Sequence, residues 1–513
     1  MMWSKSIVDL FRSKFTVLGL IILSLGALFY FVEYTNSTFT PTSFFYKSST
    51  QTKFYANRFH LQGDHLELFG SYSVGNNTVI ATDFAIVVED IQSFVSILKN
   101  LSDTINHDTE KVVSKSVSFI SGYEKSTPDG YFNRKEDEKY FKQNWNVPEV
   151  SCRKIFDGSE TELKLAEEIT KKTQKSTLTE SDYINMTKDC EKFRQERGYI
   201  MSPLTHLEEN FPIAFSLLLF KDVGQAERLL RAVYRPQNIY CVHVDEKSHD
   251  DVRKAVQGIV SCFDNIFLTP RSFDVQWGTM TVLEPEILCM NELWEKSKKW
   301  KYFINLTGQE FPLKTNYELV QILQAYDGAN DLEGTIKRAN KDRWQNAGPP
   351  PHNITATKGS VHVIVNRDFV DYVIHNEIAQ DFLNWTRKVD VPDETFFTSL
   401  NHNPHLGIRG SYKGVPETDS VLKPFLTRFK NWGDWPCHGM RVRLVCVFGV
   451  GDIPLLYSRP ELFANKFYWN YQYFALDCME ELIYNRTRDE FLGKLTFDPT
   501  FYRNLGFVKN KIS

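Results

Sequence analysis

The residues with the clearest chemical promise are Asp393 and Glu394, adjacent carboxylates that follow Pro392 and lead into Thr395-Phe396-Phe397. Phe397 and Leu400 stand at helical spacing, which predicts a helix with the two acids at its N-terminus. Free N–H groups and the helix dipole there hold a carboxylate ionised and oriented, as a general base requires. An ordinary acidic N-cap has the same pattern. The surroundings have to separate the two readings.

From Phe211 on, strands and helices alternate. Ile213 to Phe220 (IAFSLLLF) is a continuous apolar run, as in a strand covered on both faces. Ala226, Leu229, Leu230 and Val233 follow at helical spacing. Ile239 to Val244, Ile266 to Leu268 and Tyr302 to Leu306 read as further strands, with a helix over Val282 to Trp294. Val361 to Val365 and Val442 to Phe448 supply later ones. This βαβ rhythm predicts an α/β fold, a mainly parallel sheet flanked by helices. Ligands of such sheets bind beyond the carboxyl ends of the strands, where Asp245 and Gln309-Glu310 would stand. Gly449-Val450-Gly451 lacks the third glycine of a dinucleotide fingerprint.

At 513 residues the chain exceeds one typical domain. A net charge of −4 with mixed signs offers no field for nucleic acid. All eight cysteines follow residue 150 and none forms a C-x-x-C pair, which argues against zinc ribbons and thioredoxin-type motifs. An even, widely spaced set reads as four disulfides in an oxidising compartment, with 105 connectivities open.

Phe15 to Val32 is an uncharged apolar run of 18 residues, just long enough to span a bilayer. Lys5, Arg12 and Lys14 precede it and Glu33 follows. The charge bias predicts a signal anchor at 15–32, a cytoplasmic tail at 1–14 and a lumenal body. A cleaved signal peptide is the rival, but Leu28-Phe29-Tyr30-Phe31 extend the run past the only cleavage-like site. Glycosylation acceptors at Asn36, Asn76, Asn100, Asn185, Asn353, Asn384 and Asn485 fit lumenal exposure, whereas Asn305 lies in a strand-like run and is expected to be buried. Residues 33–151 read as a stem with a small ordered part near Ala85 to Val88. Residues 152–205 read as a charged helical arm with a cysteine near each end, and 206–513 as the main folded domain.

The motifs together carry a resemblance. Leu229-Leu230-Arg231-Ala232-Val233-Tyr234, Asn238 to Asp245 (NIYCVHVD), Ser261 to Asn265 (SCFDN), Trp300 to Leu306 (WKYFINL) and Leu462 to Phe467 (LFANKF) resemble the core-2/I-branching β-1,6-N-acetylglucosaminyltransferases, from about Cys152 to Glu481. The resemblance implies a Golgi type II membrane enzyme with a GT-A-like nucleotide-sugar transferase domain that inverts configuration without a metal or other cofactor. It implies Glu394 as general base toward the 6-hydroxyl of an O-glycan acceptor. Arg443 and Lys466 would meet the diphosphate of a UDP-sugar, and Leu218, Leu219, Phe220, Asp245 and Trp277 the rest of the nucleotide. Glu333, Arg343 and Trp432 would bind the acceptor. The implied disulfides are Cys152–Cys478, Cys190–Cys262, Cys241–Cys289 and Cys437–Cys446. Two departures bear on specificity: Phe220 stands where a polar residue is usual, and the short loop Trp432 to Cys437 adds Trp435. The same fold with UDP-glucose or UDP-xylose, or a non-catalytic glycan-binding protein on this scaffold, are the alternatives.

Overall fold

The computed structural model describes residues 52–62, 65–74, 84–88, 141 and 145–513, apart from 174, 176, 421 and 422. Two compact units divide between residues 131 and 132. The first contains an antiparallel sheet of β1 (Thr52–Gln62), β2 (His65–Val74) and β3 (Phe84–Val88). The alternation around Ala85 to Val88 falls on β3. A bulge at Ala56/Arg58 shifts the parity of β1, so its apolar positions are 54 and 56 before it and 59 and 61 after. That shift hides the strand from a search for strict alternation. The run 15–32 and Asn36, Asn76 and Asn100 lie outside the described residues. No helix among the described residues is long and apolar enough to cross a membrane.

In the second unit a charged arm of α1 (Glu160–Lys172), α2 (Glu180–Met186) and α3 (Cys190–Arg197) leads to a three-layer core. The chain then runs β4 (Ile213–Leu219), α4 (Val223–Val233), β5 (Ile239–Val244), α5 (Asp250–Ser261), β6 (Ile266–Leu268), α6 (Glu284–Lys296) and β7 (Tyr302–Thr307). It continues through β8 (Glu310–Pro312), α7 (Asn316–Tyr326), β9 (Asp331–Leu332), β10 (Val363–Asn366), α8 (Arg367–His375), α9 (Glu377–Thr386) and α10 (Phe396–Asn401). The main sheet has the order β6-β5-β4-β7-β10-β9. Its first four strands are parallel, and β10 is antiparallel to both neighbours.

Alternation along the strands divides the core. Ile213, Phe215, Leu217 and Leu219 pack on one face with α4, α5 and α7, while Ala214 packs on the other with α6, α8, α9 and α10. Both faces of β4 are therefore dry, which is why its sequence is apolar throughout. Ser216 is the polar exception, and it donates to Glu286 Oε2 at 2.6 Å.

A second, three-stranded sheet joins β8 to β11 (Arg428–Phe429) and, later in the chain, β14 (Phe463–Asn465). The apolar run Val442 to Phe448 reads as one strand, but the structure folds it as a hairpin of β12 (Met440–Val442) and β13 (Val445–Val447). Arg443 and Leu444 form its two-residue turn with φ of 50° and 71°. Positive φ at both turn positions matches the right-handed twist of a hairpin and usually calls for Asn or Gly. Neither is present, so the turn has no sequence signature. The long α11 (Phe474–Phe491) follows, and two short helical turns come after it. Disulfides join Cys152 to Cys478, Cys190 to Cys262, Cys241 to Cys289 and Cys437 to Cys446. Asn305 is buried, while Asn185, Asn353 and Asn384 are exposed and Asn485 donates to the Trp145 carbonyl.

Candidate active site

Pro392–Glu394 is a single 3-10 turn, one residue short of α10. The acids thus precede the helix rather than begin it. Phe396, Phe397 and Leu400 are fully buried and anchor the turn from its C-terminal side, each contributing about 1.5–3 kcal/mol relative to exposure. The two carboxylates separate. Asp393 is buried, its Oδ1 has no hydrogen-bond partner, and burial together with the nearby Glu394 charge pushes its carboxyl up to about 7. Glu394 keeps 28% of its side chain exposed and reaches Arg343 Nη1 at 2.5 Å through Oε2. Of the pair, Glu394 is the one that solvent or a substrate can meet.

Three chain segments converge there. Thr335 and Lys358 exchange backbone hydrogen bonds of 2.8 and 3.0 Å, and Gly359 N–H donates to the Glu394 carbonyl at 2.7 Å. Lys358 Nζ is 3.9 Å from both Glu333 Oε1 and Glu394 Oε2. Trp344 donates to Thr395 Oγ1 at 3.0 Å, which fixes the residue after Arg343 beside the turn. Lys430 donates to Ser360 Oγ at 2.9 Å; desolvation pushes its pKa down, while Glu333 and Glu394 face it and oppose that. Glu333, Arg343 and Glu394 are thus brought together, and Lys358 and Lys430, which the sequence did not single out, join them. The crossing needs a glycine. A Cβ on Gly359 would lie 2.5 Å from the Glu333 carbonyl oxygen and 2.6 Å from Thr398 Cβ. Gly359→Ala is therefore expected to cost about 1–3 kcal/mol in a denaturant melt, as overpacking does elsewhere. An unchanged midpoint would mean that the segments separate freely.

The carboxyl ends of β4 and β5 build a second group. Leu219 pairs with Val244, and Asp245 N–H donates to the Leu219 carbonyl at 2.9 Å. Leu218 is half-buried beside them, and Phe220 is exposed. Lys247 places its ammonium 3.1 Å from the Asp245 carboxylate and 2.8 Å from Asp274 Oδ1. Trp277 is the most exposed large apolar side chain among the described residues, and its neighbour Gly278 accepts the Val391 N–H at 3.0 Å. One backbone bond therefore ties the Trp277 loop to the Glu394 turn.

Lys466 follows β14, and its carbonyl accepts the Phe448 N–H at 3.0 Å, so the base of the hairpin abuts it. Arg443 at the hairpin tip is exposed, and among the described residues its side chain has no hydrogen bond or ion pair. Trp432 is exposed on a tight loop, which the buried Asn431 organises through bonds to Gly433, Trp435 and Pro436. No hydrogen bond or ion pair links Trp432 to Glu394 among the described residues. A cavity of about 560 Å³ lies apart from these groups, between Trp145, Tyr183, Trp469 and the α4–α11 ion pairs. Its arginines Arg228 and Arg231 are held by Glu480 at 2.6 Å each. Among the described residues, the grouping close enough to hold a metal ion is Cys437, Cys446 and Asp452, but the two sulfurs are bonded to each other.

A family profile described as Core-2/I-Branching enzyme matches residues 213–456. Those bounds enclose the main sheet, the Glu394 turn and the hairpin. The Homo sapiens beta-1,3-galactosyl-O-glycosyl-glycoprotein beta-1,6-N-acetylglucosaminyltransferase is 36% identical over 363 residues, covering 65% of this chain and 84% of that protein. A second human protein, the beta-1,3-galactosyl-O-glycosyl-glycoprotein beta-1,6-N-acetylglucosaminyltransferase 3, is 35% identical over 339 residues, covering 61% and 77%. The crystal structure of mouse xyloside xylosyltransferase 1 aligns at 11% identity and a TM-score of 0.23, covering 37% of this chain and 81% of that one; it carries no weight here.

Proposed function

The chain belongs to the Core-2/I-branching family of glycosyltransferases, and on that premise we propose that it moves GlcNAc from a UDP-sugar to the 6-hydroxyl of an O-glycan. The reading places it in the Golgi membrane, held by residues 15–32, with the catalytic domain in the lumen. What carries it is the environment of Glu394: an accessible carboxylate with one oxygen engaged by Arg343 and the other without a hydrogen bond among the described residues. Such a group can accept the proton of an acceptor hydroxyl as that oxygen attacks C1 of the sugar. The new C1–O bond forms on one face while the bond to UDP breaks on the other, inverting the anomeric centre. Negative charge then grows on the departing diphosphate. Arg443, exposed and without an ion pair among the described residues, and Lys466 are available to neutralise it. Glu333, Arg343 and Trp432 orient the acceptor, while Leu218, Leu219, Phe220, Asp245 and Trp277 line the nucleotide.

The transfer is proposed to need no metal. Asp245 already carries the Lys247 ammonium, which shares Asp274 as well, and a fixed cation there opposes binding of a second one. The test uses the full chain with a core-1 disaccharide, EDTA, and UDP-GlcNAc, UDP-glucose or UDP-xylose in parallel. Transfer of GlcNAc is expected to persist within about twofold of the EDTA-free rate. Loss in EDTA that a divalent cation restores would overturn metal independence. Transfer from another donor alone would overturn the assignment of GlcNAc.

A further inference from the structure

The proposed mechanism leaves the two lysines of the site, Lys358 and Lys430, unused. Lys358 stands between Glu333 and Glu394, 3.9 Å from an oxygen of each. Its place is set by backbone rather than by a flexible side chain alone. The paired bonds hold it opposite Thr335, which is two residues from Glu333, and Gly359 next to it donates to the Glu394 carbonyl. The groups facing Glu394 are Asp393 on its own turn, Arg343 from the 341–347 segment, Glu333 and Lys358 from the crossing segments, and Lys430 from the chain after β11.

Arg343 does not balance this set, because its ion pair is with Glu394, while Glu333 carries an equal charge nearby. Lys430 faces both acids, but it is bonded to Ser360 and desolvated. Lys358 is the cation in ion-pair contact with both. An opposite charge held between two acidic side chains attracts both and offsets their mutual repulsion. Resting on the reading of Glu394 as base, we propose that Lys358 is a positioning residue. Its ammonium holds Glu394 aimed while Glu333 is free to bind the acceptor.

Lys358→Met removes the charge and keeps most of the stem. The acid limb of the kcat/KM profile against pH is expected to move up by about half a unit to one unit, because uncompensated carboxylates hold protons more tightly, tempered by partial exposure. Lys358→Arg should return the profile to its original place. UDP affinity by calorimetry and the melting temperature should stay unchanged in both. In a Glu333→Gln background the shift caused by Lys358→Met should shrink, since the second acid is gone. A superimposable profile for Lys358→Met with only a higher acceptor KM would overturn the inference and leave Lys358 as an acceptor contact. Equal losses in Met and Arg variants with a lowered melting temperature would also overturn it, as a structural role. Glu394→Gln, run alongside, separates the failures. If that variant stays active, the base assignment falls and takes this inference with it. If it is inactive and the Lys358→Met profile does not move, this inference alone falls.

Discussion

Glu394→Gln is expected to lower kcat/KM for sugar transfer by about 10³-fold, within the range of 10²–10⁴ that a positioned general base supplies. The substitution is nearly isosteric, and its amide oxygen can still accept from Arg343. It removes the basic oxygen and little else. Because the Glu394–Arg343 pair is partly exposed, losing the charge should cost under about 1 kcal/mol of stability. UDP affinity should stay within about twofold, since the residues proposed to meet the nucleotide lie on other loops. Asp393 offers no rescue: it is buried away from the acceptor side, and burial, the larger cause of its raised carboxyl pKa, persists when the Glu394 charge is removed. The measurement is initial rate with saturating donor and varied acceptor, paired with UDP calorimetry. A loss under tenfold would remove Glu394 from the chemistry. A large loss together with lost UDP binding would point to a collapsed site.

How much of this was legible in the sequence depended on whether a feature is local. Strands β4, β5 and β7 are continuous apolar runs because helices cover both faces, so they announce themselves. Glu394 is visible through Pro392-Asp393-Glu394 and the resemblance around it. The sequence does not say that the two acids part ways, with Asp393 turned into the protein and Glu394 out of it. That division is set by the packing of Phe396, Phe397 and Leu400. Lys358 and Lys430 carry no local signal either. They matter because Gly359 lets three segments cross, and their partners are 25 to 97 residues away in sequence. The hairpin was hidden for another reason. Its turn uses Arg443 and Leu444 where Asn-Gly would have marked it, so the run resembles one strand. The same turn sets Arg443 out in solvent.

Arg428→Met is expected to destabilise the domain by about 3–5 kcal/mol, the usual cost of leaving one member of a buried ion pair behind. Arg428 and Glu310 are both wholly buried and meet at 2.8 Å. Arg428 also donates to the Thr427 and Asn305 carbonyls. Its loss would strand the Glu310 carboxylate beside His362, which burial keeps neutral. Thermal scans should show the melting temperature lowered by at least about 5 °C. The informative variant is the double one, Arg428→Met with Glu310→Leu. Replacing both partners by apolar side chains is often neutral or stabilising, so most of the lost stability should return. Activity should not return with it. Glu310 Oε1 accepts from Asn465 Nδ2 at 3.2 Å, and β14 pairs Asn465 with Glu310 one residue before Lys466. An apolar pair would leave that amide without its partner and the start of the Lys466 loop less fixed. A stable double variant with kcat lowered about tenfold would mean that the ion pair exists to hold register under the site rather than to stabilise the fold. A double variant that is both stable and fully active would reject that role.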